Sequence, residues 1–197
     1  MIILDTNVLS ELLRPDPAKP VERWLSAQDG AKVYFSTVGE AELRHGLAIL
    51  PAGKRRNALT TAIEGLLDED FRDRILPFDR AAARAYATIA AARRAAGRPI
   101  SQFDCQIAAI ARAHEATVAT RNTSDYEGCG IDLINPWTFS AHQNAAAPHR
   151  SCLIPLLPTT ACAIGISPIT FGSMMRSRFG VGSSLQNWPS STSRPSA

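Results

Sequence analysis

Met1-Ile2-Ile3-Leu4-Asp5-Thr6-Asn7 opens the chain with a four-residue apolar run that ends on a carboxylate and two further polar groups. A short, continuously apolar run bounded by polar residues reads as a strand buried on both faces, the kind that builds parallel sheets. Asp5 then stands at a strand exit. In an open parallel α/β sheet the strand exits line one edge, so acids far apart in sequence can meet there in a single crevice.

The rest of the first 140 residues supports that frame. Strands are expected at Val33–Ser36, 75–78, 117–120 and 131–134. Between them, Leu43, Leu47 and Leu50 fall on one face of a helix over 38–50, closed by Pro51-Ala52-Gly53, and Leu59, Ile63, Leu66 and Leu67 keep helical spacing over 57–67. A short helix is read at 21–26, after the turn Pro15-Asp16-Pro17. The clearest helix is 79–96: Asp79 is a good cap, the interior is alanine-rich, Arg93 and Arg94 complement the dipole in the last turn, and Gly97 and Pro99 stop it. Phe103, Ile107, Ile110 and Ala111 mark a further helix over 102–114. Strands alternating with helices predict an α/β fold with a largely parallel sheet and helices on both sides.

Four carboxylates recur where such strands give way to helices: Asp5, Glu42, Asp104 and Asp125. Each also has a plain structural reading. Asp5 can cap the helix that starts near Val8. Thr37 and Glu40 have capping-box spacing, which gives Glu40 a structural task and frees Glu42 for the crevice. Ser101 and Asp104 share that spacing, so Asp104 can belong to a cap, and Asn122 or Asp125 can simply shape the polar turn after 117–120. If the acids converge, their mutual repulsion calls for protons or a cation. A hard divalent ion with oxygen ligands, Mg²⁺ above all, resolves the conflict and can ready water for attack on phosphorus, alone or as a pair of ions.

Other chemistries are poorly supplied. His45 and His114 lie on helices and His142 and His149 near the chain's end, with no arrangement that suggests a general base. Cys105, Cys129, Cys152 and Cys162 lack zinc-site spacing, and Cys105 reads as a small core residue. With 197 residues, 45% apolar and 20% charged, the composition is that of a soluble globular protein. No apolar run approaches a membrane span, and no basic leader precedes Asp5, so a cytoplasmic location is expected. The net charge of +3 comes from the end of the chain: from Ala141 onward there is no Asp or Glu, while Arg150, Arg176, Arg178 and Arg194 are basic. That Ser-, Pro- and Gly-rich stretch, 141–197, is expected to be an irregular, poorly ordered extension of a domain spanning 1–140.

Four segments, in order, carry a resemblance. They are Met-Ile-Ile-Leu-Asp-Thr-Asn-Val-Leu-Ser (1–10), Ser-Thr-Val-Gly-Glu-Ala-Glu-Leu-Arg-His-Gly (36–46), Phe-Asp-Cys-Gln-Ile-Ala-Ala (103–109), and Ala-Thr-Arg-Asn at 119–122 running to Ile-Asn-Pro-Trp at 134–137. Together they resemble PIN-domain ribonucleases, above all the VapC-type toxins of bacterial toxin–antitoxin modules. The resemblance implies a three-layer α/β/α PIN fold and a Mg²⁺- or Mn²⁺-dependent endoribonuclease acting on RNA. Its acidic positions map to Asp5, Glu42 and Asp104, with the fourth at Asn122 or Asp125. Thr6, Asn7, Thr120 and Asn122 would orient ligands or water. It further implies a homodimer and a cognate antitoxin that lays an arginine-bearing segment across the groove. Lys54-Arg55-Arg56, Arg93-Arg94, Arg98 and Arg121 are candidate RNA contacts.

Two rivals remain at this point. A haloacid-dehalogenase-like phosphatase would use Asp5 as a covalent nucleophile, but the second aspartate of its motif falls on Asn7. A non-catalytic PIN-like binding module would keep the fold and lose the cleavage.

Overall fold

Period-two alternation in the first strand assigns the two faces of the sheet. In the computed structural model, which describes residues 1–140, β1 (Ile2–Leu4) sends Leu4 into one apolar cluster and Ile3 into another. The same alternation recurs in β2 (Val33–Ser36), whose Val33 and Phe35 join Leu4, while Tyr34 packs on the opposite side. The expectation for 141–197 lies outside the described residues.

The sheet has five strands in the order β3-β2-β1-β4-β5, with β3 at Ile75–Leu76, β4 at Thr117–Ala119 and β5 at Leu133–Ile134. Every pairing is parallel, with Ile3 opposite Tyr34 on one side and Val118 on the other. The chain therefore winds outward from β1 in one direction and returns to begin again at β4. The gap between the carboxyl ends of β1 and β4 is the switch point of a doubly wound sheet, where ligand crevices form.

Seven helices cover the two faces among the described residues. On the Leu4 side lie α1 (Thr6–Leu12), α2 (Lys19–Ser26), α3 (Thr37–Ile49) and α4 (Lys54–Gly65), contributing Leu9, Trp24, Leu43 and Ile63 to that core. On the Ile3 side α5 (Arg80–Ala95) packs along α6 (Gln102–Ala113), with Ala82, Ile89 and Ile107 buried between them and the sheet. Small α5 side chains permit this close approach. The seventh helix, α7 (Thr123–Tyr126), is a single turn after β4. No described helix is long and apolar enough to cross a membrane.

The caps explain where the helices begin. Asp79 accepts from Ala82 N at 2.8 Å, and Ser101 Oγ accepts from Asp104 N at 3.1 Å, both as read from sequence. The Thr37–Glu40 box does not form. Ser36, one residue earlier and still extended, caps α3 by accepting from Gly39 N at 3.0 Å, and Glu40 reaches forward to Arg44 at 2.7 Å. α4 starts at Lys54 rather than 57, because its first turn is basic and leaves no apolar period to detect. It runs into a wide turn over Leu66–Asp70, where Phe71 N donates to Leu66 O.

Candidate functional site

Asp5 stands at the switch point because the β1 backbone carries it there: Asp5 N donates to Ala119 O at 3.0 Å, continuing the pairing with β4 to the strand exit. Asp5 is 5% exposed. Oδ1 accepts from Thr6 N at 2.7 Å, while Oδ2 accepts from Asn7 Nδ2 at 2.6 Å and from Thr120 Oγ1 at 2.7 Å. Asp5 therefore caps α1 and also lies within the influence of Glu42 and Asp104, so its capping task does not remove it from the acidic group. A carboxylate this buried and held by three donors is poorly placed to act as the phosphatase-like nucleophile.

Glu42 arrives from the second turn of α3, where its Oε2 accepts from Thr6 Oγ1 at 2.6 Å. Asp104 arrives from the first turn of α6, where Oδ2 accepts from Ser101 Oγ at 2.6 Å and Oδ1 from the Tyr126 hydroxyl at 3.4 Å. Asp104 thus belongs to the α6 cap and is also bonded to the Tyr126 hydroxyl.

The three acids act on one another. Burial pushes the Asp5 carboxyl up to about 7; the charges of Asp104 and Glu42 add to this, and the bonds from Thr120 and Thr6 oppose it. Burial also raises Glu42, with Asp104 contributing and the Thr6 bond opposing. Tyr126, 1% exposed, is raised well above an ordinary phenol by burial first and then by the charges of Asp5, Asp104 and Glu42. One hydroxyl thus senses all three carboxylates.

The donor set suits a hard cation. A buried acid, Asp5, and a partly buried one, Glu42, both with elevated affinity for protons, lie together, and no Lys, Arg or His among the described residues offsets their charge. Among the described residues no three His, Cys, Asp or Glu side chains form a ready-made cage. A site of this kind matches an ion that keeps several waters and takes only one or two carboxylates directly.

The fourth position is different. Asp125 is exposed, and its side chain makes no hydrogen bond or ion pair among the described residues. Asn122 is also exposed, and its backbone N donates to Thr120 Oγ1 at 3.0 Å. Neither side chain is among the groups that act on Asp5, Glu42 or Tyr126. Thr6, Asn7 and Thr120, by contrast, form one connected network with the acids, closed by Asn7 Nδ2 donating to Thr120 Oγ1 at 3.1 Å.

Three residues of the site carried no such role in the sequence reading. Tyr126 lies in a single helical turn too short to carry a helical period; its signal in the sequence is an isolated tyrosine one residue past a candidate acid, which must bury its ring and still satisfy its hydroxyl. Arg93 is a correction. It is 7% exposed and turned inward, donating from Nη2 to Asp125 O at 3.2 Å and from Nη1 to Glu127 O, so it ties α7 to α5 and is not an RNA contact. Arg98 pairs with Glu127 at 2.8 Å.

Gly39 is the third. A Cβ there would lie 2.5 Å from Phe35 Cζ and 3.1 Å from Thr6 Oγ1, the hydroxyl that holds Glu42. Phe35 is fully buried and cannot swing aside. Gly39→Ala is therefore expected to destabilise the fold by roughly 1–3 kcal/mol through overpacking and to disturb the Thr6–Glu42 bond. Urea unfolding and activity should fall together; an unchanged unfolding midpoint would show that the close approach is not tight.

The family profile described as PIN domain matches residues 2–126. The chain is 47% identical over 137 residues to the VapC ribonuclease Y4jK of Sinorhizobium fredii, a match covering 70% of this chain and 98% of that protein. It is 43% identical over 137 residues to the toxin FitB of Neisseria gonorrhoeae, covering 70% and 99%. Among solved structures, FitAcB from Neisseria gonorrhoeae aligns with a TM-score of 0.67 and 42% identity, over 71% of this chain and 100% of that one.

Proposed function

Because the chain belongs to the PIN-domain family, we propose that it is a divalent-metal-dependent endoribonuclease, the toxin of a toxin–antitoxin module, working in the cytoplasm. The observation that carries this reading is the gathering of Asp5, Glu42 and Asp104 near the β1/β4 edge, with Asp5 and Glu42 both bonded to Thr6 and Asp104 bonded to Ser101 and the Tyr126 hydroxyl. The relatives support it by name: one is a VapC ribonuclease, another a toxin, and a third, 33% identical, is a tRNA(fMet)-specific endonuclease of Shigella flexneri.

Asp5, Glu42 and Asp104 would hold Mg²⁺ or Mn²⁺. When bound, such an ion supplies Lewis acidity and offsets charge on the phosphate. The chain's own residues set the geometry. Thr6 N, Asn7 and Thr120 fix the Asp5 carboxylate, the Thr6 hydroxyl fixes Glu42, and Ser101 and Tyr126 fix Asp104. Supporting hydrogen bonds of this sort hold ligands in a productive orientation. Asp125, exposed on α7 one residue before Tyr126, is the fourth acid of the proposal, with Asn122 the alternative.

Cys105 and His45 are poor rivals for the reaction among the described residues. Burial pushes the Cys105 thiol up to about 11, so it stays protonated at neutral pH, and His45 is exposed. The partners are RNA, a second copy of the chain, and an antitoxin whose basic side chain would neutralise the acids while it blocks the groove. Purified protein should cut RNA with Mg²⁺ or Mn²⁺ and stop in EDTA, and a small protein encoded beside it should suppress the cut. Equal cleavage with and without EDTA would remove the metal from the account.

A further inference from the structure

Arg121 leaves β4 immediately after Thr120, and its main chain is held on both sides. Its N donates to Asn7 Oδ1 at 3.3 Å, and its carbonyl accepts from Asn135 Nδ2 at 3.4 Å. Asn7 is the residue that also grips Asp5. The Arg121 backbone is thus built into the same network as the acids.

Its side chain is fixed separately. The guanidinium carbon lies over the Trp137 ring, 5.5 Å from the centroid. Trp137 sits in the short turn Pro136–Thr138, whose start is secured by Trp137 N donating to Asn135 Oδ1 at 3.0 Å, and its ring packs on the Leu4-side core. Arg14, Arg44 and Arg98 spend their charge on Glu11, Glu40 and Glu127. Arg121 is exposed and makes no ion pair among the described residues.

A guanidinium held over an indole face by a cation–π contact forms no hydrogen bond to the ring's carbons and so keeps N–H groups for two-point recognition of a phosphate. That contact also removes part of the side-chain freedom that a solvated arginine would lose on binding. A nucleic-acid strand approaching three carboxylates needs positive charge close by, and Arg121 supplies it on the same sheet edge.

We propose that Arg121, braced by Trp137, is a phosphate-binding subsite that seats the RNA backbone beside the acidic crevice. This rests on the nuclease reading and names where the substrate is held.

The test measures binding of a short fluorescein-labelled single-stranded oligoribonucleotide in the Asp104→Asn background across a salt series, alongside kcat and KM in the otherwise native protein. Arg121→Ala should weaken binding about 10-fold, raise KM with kcat little changed, and shrink the salt slope by about 0.7, the share of one phosphate contact on a single strand. Arg121→Lys should restore the salt slope but only part of the affinity, and Trp137→Leu should weaken binding with the slope kept. Thermal melting of the arginine variants should match the parent, since a structural role would show there instead.

Two results would overturn the subsite while leaving the nuclease intact. One is wild-type cleavage with Arg121→Ala unchanged in KM and salt slope. The other is Arg121→Ala losing affinity only for the antitoxin. Wild-type protein that neither binds nor cuts RNA with any divalent metal would instead remove the nuclease reading, and the subsite with it.

Discussion

Asp104→Asn is expected to reduce metal-dependent RNA cleavage by more than the ~10–100-fold that loss of a supporting hydrogen bond typically costs at a metal site, while leaving the fold intact. The reason lies in which features of Asp104 the substitution keeps. Asn has the same shape, and its carboxamide oxygen can still accept from Ser101 Oγ, so the start of α6 keeps its cap. What disappears is a negative charge that both Asp5 and Glu42 feel. If that charge binds a cation, activity collapses; if Asp104 is only a cap residue, activity hardly moves. Single-turnover cleavage beside urea unfolding separates the two. Near-native cleavage by Asp104→Asn would end its role as a ligand.

Metal-free protein should lose stability as pH rises from about 4 to about 7, and divalent metal should return it. The sign follows from Asp5. Its carboxyl moves from an ordinary 3.8 up to about 7 on folding, so the folded chain binds its proton more tightly than the unfolded chain does. Stability contributed by the protonated form is therefore full below the unfolded value and is lost as pH climbs through the window. Fully expressed, a shift of this size is worth on the order of 4 kcal/mol, with Glu42 acting in the same direction. Mg²⁺ or Mn²⁺ binds the ionised form, so its stabilisation should be greatest near neutral pH and fade on acidification. Thermal melting from pH 4 to 8, with EDTA and then with metal, reads both effects, and Asp5→Asn should flatten the metal-free slope. A metal-free protein that grows more stable across this interval would contradict the buried-acid account.

Much of this was legible in the sequence because the decisive signals are local. Ile2–Leu4 followed by Asp5, Ser101 three residues before Asp104, and Asp79 ahead of an alanine-rich helix each announce an element through residues within one turn of one another. Glu42 was separable from Glu40 on the correct ground that Glu40 is engaged locally, though its partner proved to be Arg44 and the cap proved to be Ser36. That error has a simple cause: capping depends on which hydroxyl residue is still extended, and Ser36 and Thr37 look alike in sequence.

What escaped the sequence depends on contacts between distant elements. Gly39 matters because the Phe35 ring and the Thr6 hydroxyl close over it, and Arg93 because α7 presents carbonyls to it from more than thirty residues away. Tyr126 matters because the fold swings its hydroxyl towards Asp104. No spacing rule contains these facts. The same limit holds at the fourth acid, where a polar turn can carry Asn122 or Asp125 outward or inward with little change in pattern.

The most direct test is crystallographic: soak crystals with Mn²⁺ near neutral pH and collect an anomalous difference map. The account predicts a strong peak at the carboxyl edge between β1 and β4, touching Asp5 and at least one of Glu42 and Asp104, and lost in Asp5→Asn crystals. A well-occupied Mn²⁺ elsewhere, with that edge empty and the three carboxylates unmoved, would contradict it.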